Sequence, residues 1–223
     1  MGKIFVIDGT DGSGKQTQFE KLKQAFEKDG IEYRTISFPN YDSPSSSLVK
    51  MYLAGEFGQD PKLVSPYVAS TFYAVDRYAT YKKELEEYYN QGGIILADRY
   101  TTANMVHQAG KIQDQKERDQ FLDWLWDLEF NLYGLPVPEE VFFLNMPPEY
   151  SLKLIENREN KITHDATKDI HERSANHIKD SYEAACSLVD KYHWCEVKCV
   201  KEGIIRQIED IHQEIYEQVK KKI

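Results

Sequence analysis

The chain has 223 residues, with 28 Lys+Arg against 37 Asp+Glu, a formal net charge of −9 at pH 7. That acidic balance argues against a broad nucleic-acid surface, while a local basic cleft would still focus a small anion. A 41% hydrophobic and 29% charged composition suits one globular domain over residues 1–223; no apolar run approaches the roughly 20 residues of a membrane span.

The N-terminus lacks the basic-then-apolar layout of a signal peptide. Cys186, Cys195 and Cys199 make neither a disulfide framework nor a paired zinc motif. They read as small apolar residues of a reduced protein, and the expected location is cytoplasmic.

In chain order, "KIFVID" (3–8) is an apolar run ending at glycines, the pattern of a buried parallel strand. The helix that follows places Phe19, Leu22 and Phe26 at helical spacing and closes on Gly30. "EYRTISF" (32–38) is a second strand, stopped by Pro39, and a polar loop leads to a short helix over 47–54. A long helix is predicted over 65–93, with Pro66 in its first turn. "IILAD" (94–98) and "VFFLNM" (141–146) are further buried strands, with two helical stretches between them. The aromatics of the second, "DQFLDWLWDLEFNLY", are read as core rather than as a partner surface. A polar stretch follows "PPEYSLKLIENR", then a helix over 174–192, a strand near 194–200 and a last helix from 204. Five strands each followed by helical material predict a five-stranded parallel sheet with helices on both faces, an α/β three-layer fold. Ligands in such folds bind beyond the carboxyl ends of the strands.

Residues 9–16 nearly match G-x-x-x-x-G-K-[ST], the loop whose backbone N–H groups cradle phosphates. An apolar strand leads in and a helix leads out, as that chemistry requires. Gly9, Thr10, Asp11, Gly12, Ser13, Gly14, Lys15, Gln16 and Thr17 are the candidate ATP contacts, with Lys15 reaching the β- and γ-phosphates. Gln16 stands where a hydroxyl would hold Mg²⁺, and its amide oxygen is the candidate replacement, directly or through water. Thr17 projects about 100° away on the helix and does not substitute. Asp11, an acid beside a phosphate site, is costly unless it has a task such as holding a sugar hydroxyl.

"DGTDGSGKQTQ", "FPNY", "FYAVDRY" and "ADRYTTANMVHQAG" occur in this order, and "GLPVPEEVFFLNMPPEYSLKLIENR" follows. Together they resemble the thymidylate kinase family of phosphate-loop nucleoside-monophosphate kinases, over essentially the whole chain. The resemblance implies transfer of the γ-phosphoryl group of ATP to dTMP with Mg²⁺, in dTTP biosynthesis, and a homodimer. It implies that Asp98 holds the metal and that Arg99 binds the acceptor phosphate. Tyr73, with adjacent Phe72, would stack on thymine; Arg77 would bond the base. Asn104 and Gln108 would read its edge, and Pro39 with Tyr41 would border the acceptor phosphate.

The chain departs from the family pattern at several points. Tyr41 stands where many members carry Arg, Ala103 replaces a serine, and Ile170 in "DIHE" replaces a lid arginine. The phosphate loop has Gly12 and Ser13 where some members carry a catalytic arginine. Arg158 and Lys161, at the start of a lid over roughly 158–173, are therefore the candidate catalytic cations, with Lys168 and Arg173 behind them. His107 reads equally as a polar contact or a helix-surface histidine. His164 and His171 with Asp165 and Asp169 are too irregularly spaced for a metal cluster. Two other readings stay open: a related kinase for another nucleotide or a deoxynucleoside, with Asp8 as the candidate base, and a nucleotide-binding module with weakened catalysis.

Overall fold

The computed structural model describes residues 1–162 and 175–223, with the side chains of residues 61, 156–162 and 175–177 outside that description. Five parallel strands form the central sheet in the order β2-β3-β1-β4-β5. They are β1 (Lys3–Asp8), β2 (Arg34–Ser37), β3 (Ile94–Asp98), β4 (Glu140–Asn145) and β5 (Cys195–Lys198). β1 is nearly buried throughout, with Phe5, Val6, Ile7 and Asp8 all at or below 1% exposure, so its residues alternate into two cores rather than into core and water. One core gathers Val6, Ala97, Val106, Leu125 and Phe143. The other, across the sheet, gathers Phe5, Leu22, Phe142, Ile215 and Val219.

The helices are α1 (Lys15–Asp29), α2 (Ser47–Leu53), α3 (Pro66–Thr80), α4 (Glu86–Asn90), α5 (Thr101–Ala109), α6 (Gln115–Trp126), α7 (Pro148–Ile162), α8 (Ala175–Tyr192) and α9 (Ile208–Lys220). The long helix expected over 65–93 is α3 and α4 joined by a π turn at Tyr81–Leu85. A second π turn, Asp127–Leu132, extends α6 and turns Glu129 into the core. Near the C-terminus the expectation is corrected. The strand ends at Lys198, and a small antiparallel hairpin, β6 (Val200–Lys201) with β7 (Ile204–Ile205), precedes a last helix that begins only at Ile208. Gly203, at φ 77° in the hairpin turn, is the residue that tolerates that backbone.

β1 pairs with β3 on one side and β4 on the other. The loop after β1 therefore opens at the point where the sheet's winding reverses, where α/β folds place their ligands. Among the described residues, no helix is long and apolar enough to cross a membrane.

Candidate active site

Beyond β1 the chain turns through the glycine loop into α1, whose N-cap is Gly14, with no side-chain cap and no acidic residue in its first turn. The open N–H groups of this helix end suit an anion. The hydroxyls Thr10 Oγ1 and Ser13 Oγ are buried without a hydrogen-bond partner among the described residues. Lys15 folds over the loop, donating to the carbonyls of Gly9 (2.7 Å) and Thr10 (2.9 Å). Burial and nearby Arg99 push its pKa down to about 8, against the pull of Asp11 and Asp8.

Gly12 is a loop position with no room for an arginine. Its φ is 78°, and a Cβ there would lie 2.6 Å from the Ser151 carbonyl oxygen and 2.9 Å from Ile155 Cγ1, both on α7. Helix α7 packs too closely for an arginine at this position.

Asp98 and Arg99 follow at the end of β3. Arg99 has φ 65°, a left-handed conformation that costs a non-glycine residue on the order of 1–3 kcal/mol and persists where surroundings enforce it. Those surroundings are Asp11, which accepts from Nη2 at 2.6 Å, and His107, whose Nε2 lies 3.0 Å from Nη1. Burial opposes the charge of Arg99, but Asp11 and Asp8 outweigh it and raise its pKa. Asp11 is driven well below the usual carboxylate range: burial opposes this, and Arg99 and Lys15 prevail. Within the protein the partner of Asp11 is thus Arg99. His107 is a cavity residue and not a surface histidine.

A cavity of about 300 Å³ lies beside this cluster. Its lining contains Asp11, Asp98 and Arg99, and also Tyr73, Arg77, Asn104 and Gln108. Pro39 and Tyr41 also line it, Tyr41 with 51% of its surface exposed. Tyr73 is held edge-on to Tyr52, with ring centroids 6.3 Å apart. Phe72 is not among the cavity residues; it packs against Phe57 with centroids at 5.8 Å. The choice between the two adjacent aromatics thus falls to Tyr73, because successive helical residues face different directions. Phe38, which sequence reasoning passed over in favour of its proline, lines the cavity beneath the Arg77 guanidinium.

The residues fit a divalent cation at one point. Asp98 lines the cavity, and its Oδ1 is buried with no hydrogen-bond partner among the described residues. A carboxylate oxygen is the hard ligand that Mg²⁺ takes. Gln16 is exposed in the first turn of α1 and is not among the cavity residues. No cluster of three or more metal-ligating side chains occurs among the described residues. Asp8 does not line the cavity; its carboxylate accepts from the Gly9 amide (2.8 Å) and the Thr102 hydroxyl, and burial raises its pKa. With both oxygens engaged it is poorly placed as a base.

The most consequential residue missed from sequence is Glu129. It is fully buried and accepts from Arg77 Nε (2.6 Å), Arg77 Nη2 (2.8 Å), Thr101 Oγ1 (2.7 Å) and Asn104 Nδ2 (3.4 Å). A signal existed: Leu122, Leu125 and Glu129 fall at helical spacing on the buried stripe, and an acid on such a stripe needs partners. The side chains of the candidate cations Arg158 and Lys161, together with Lys168, Arg173 and the lid motif at 169–172, lie outside the described residues, as do His164 and His171.

A family model for thymidylate kinase matches residues 7–215. The chain is similar to a thymidylate kinase of Plasmodium falciparum, 25% identical over 99% of this chain and 90% of that one. A probable thymidylate kinase of Thermococcus gammatolerans is 27% identical over 100% of this chain and 98% of its own. A thymidylate kinase of Mycobacterium tuberculosis is 30% identical over 137 residues, 61% of this chain and 62% of its own.

Proposed function

The chain belongs to the thymidylate kinase family, and on that premise we propose that it transfers the γ-phosphoryl group of ATP to dTMP, giving dTDP and ADP. The observation that carries the reading is the layout of one cavity. Arg77, Asn104 and Gln108 offer polar groups to a base, and in the same cavity Arg99, bonded to Asp11 of the glycine loop, offers a guanidinium fork to a phosphate.

In this reading the loop amides of residues 10–15 and the α1 N-terminus take the ATP phosphates. Lys15 leaves the Gly9 and Thr10 carbonyls to reach the β- and γ-oxygens, and Thr10, Ser13 and Thr17 border the same phosphates. Arg99, fixed by Asp11, holds the acceptor phosphate in line. Tyr41, at the cavity mouth, donates its hydroxyl to that phosphate without adding charge. Pro39 and Tyr73 bracket the base. An anionic phosphate is already a nucleophile, so no side chain needs to remove a proton. Mg²⁺, when bound, neutralises charge on the transferring phosphates; Asp98 would hold it, and exposed Gln16 would contribute through water. Arg158 and Lys161, on α7, would supply the cation that Gly12 has no room to provide.

The chain also reads as a cytoplasmic homodimer. Three free cysteines suit a reducing compartment. Val68, Val75 and Tyr78, at helical spacing on α3, are exposed apolar side chains that a second copy would cover.

Product analysis tests the reading: with Mg–ATP and dTMP, one dTDP should form for each ADP released. ADP without dTDP, or no turnover despite ATP binding, would contradict it.

A further inference from the structure

Arg77 and Asn104 share more than a cavity. Both donate to the same carboxylate oxygen, Glu129 Oε1. A guanidinium has five N–H donors and no acceptor. Arg77 directs Nε and Nη2 at Glu129 and Nη1 at the Tyr100 carbonyl (3.3 Å), which leaves a hydrogen on each terminal nitrogen. Asn104 directs its amino group at Glu129 and at the Ser70 carbonyl (3.2 Å), while its Oδ1 accepts from Ser70 Oγ (3.2 Å). Both amino hydrogens are used, so its remaining capacity is the second lone pair of Oδ1, an acceptor. An Asn amide is free to flip unless its neighbours forbid it. A carboxylate and a backbone carbonyl both accept only, so Glu129 and the Ser70 carbonyl together forbid it. Gln108 offers a contrast: its Oε1 is buried with no partner among the described residues, and nothing comparable fixes it.

We propose that Glu129 is a specificity-determining positioning residue, which sets a donor from Arg77 beside an acceptor from Asn104 and so selects 4-oxo over 4-amino pyrimidines. Thymine and uracil present a C4 carbonyl acceptor next to an N3–H donor, the complement of that pair. Cytosine presents an amino donor next to a bare N3 acceptor, so donor meets donor and acceptor meets acceptor. A buried site with fixed polarity rejects such a base strongly, because its own groups are left unpaired. The saturation of the carboxylate, by two Arg77 nitrogens, the Thr101 hydroxyl and Asn104, makes the polarity a property of the fold rather than of the bound nucleotide.

The inference rests on the acceptor reading above, and the wild-type protein checks that premise first: it must turn over dTMP in preference to dCMP. Glu129→Gln then replaces one acceptor oxygen by a donor, which must face one of the groups that now donate to Glu129, and removes the charge that orients the Arg77 guanidinium. The ratio of kcat/KM for dTMP to that for dCMP should fall by about tenfold or more, mainly through KM, with KM for ATP unchanged. Measured in one preparation, that ratio does not depend on the folded fraction, so a merely structural role would leave it alone. An unchanged ratio in folded Glu129→Gln overturns the proposal. Should that variant not fold, Thr101→Val, which removes one donor to Glu129 and keeps the ion pair, decides: a drop of about threefold supports the proposal, and an unchanged ratio overturns it.

Discussion

The two sides of the cavity differ in how far the protein satisfies its own polar groups. On the base side, Arg77, Glu129, Asn104, Thr101 and Ser70 bond one another and all are buried, while Gln108 Oε1 has no partner among the described residues. On the phosphate side, Asp98 Oδ1, Thr10 Oγ1 and Ser13 Oγ are buried without partners among the described residues, and Lys15 bonds backbone carbonyls. The first arrangement suits recognition, in which fixed polarity discriminates between bases. The second suits a step in which charge moves, since groups not consumed by the fold are available to phosphate and metal. Arg99 joins them, pinned by Asp11 and His107 in a backbone conformation that the fold must impose.

Substitutions on the two sides should therefore fail differently, kcat falling on the phosphate side and selectivity on the base side. The largest effect is expected at Lys15. Lys15→Ala should lower kcat by at least about 10³-fold, the scale of a lost cation on a transferring phosphoryl group, and steady-state kinetics with dTMP would show it. Unchanged turnover would remove the phosphate-loop assignment. Asp98→Asn should lower kcat by about 10²-fold and raise the Mg²⁺ concentration needed for half-maximal rate. A loss of rate with the same Mg²⁺ dependence would assign Asp98 another role.

A smaller effect is expected at Gln16. Exposed and outside the cavity, its contribution through water should be one that a hydroxyl can replace, so Gln16→Thr should leave activity unchanged or raise it a few-fold at low Mg²⁺ (about twofold to fivefold). A collapse in rate would mean that the amide makes a specific contact.

The smallest effect concerns the support of Tyr73. Lys111 donates to Tyr52 Oη (2.8 Å) and the Val64 carbonyl (3.2 Å), and Tyr52 lies edge-on to Tyr73. Burial lowers the Lys111 pKa to about 7, with Asp60 opposing weakly. Between about pH 7 and the model-peptide value near 10.4, the unfolded chain binds this proton and the folded chain does not. This group's contribution to stability therefore rises with pH across that window and is lost as pH falls toward 7. Thermal midpoints from pH 7 to 9 should climb more for the wild type than for Lys111→Met. Parallel curves would show that the amine titrates normally.

Much of this arrangement was legible in the sequence where local pattern and chemistry coincide. β1 and β3 run over 3–8 and 94–98 as read, because an apolar run ending at Gly9 or at Asp98-Arg99 allows few alternatives. Patterns needing a third dimension were not legible. Glu129 keeps helical spacing with Leu122 and Leu125 but hid among the aromatics of its helix, because its partners Arg77, Thr101 and Asn104 lie on other elements. Tyr73 and Phe72 could be separated only once α3 had a facing direction. The hairpin at 200–205 hid because Val200 reads as the end of the preceding strand and Ile204-Ile205 as the start of the last helix. Arg77 illustrates the general difficulty: its charge marked it as functional, while the acid that sets its orientation lies 52 residues further along the chain.

The most direct test of the central claim is ADP release from Mg–ATP with dTMP, dUMP, dGMP, dCMP, AMP and thymidine in parallel. Dominant turnover with dTMP, weaker turnover with dUMP and little with dCMP is the expected result. Dominant turnover with dCMP, a purine nucleotide or thymidine would contradict the base-side assignment, and silence across the whole panel would contradict phosphoryl transfer itself.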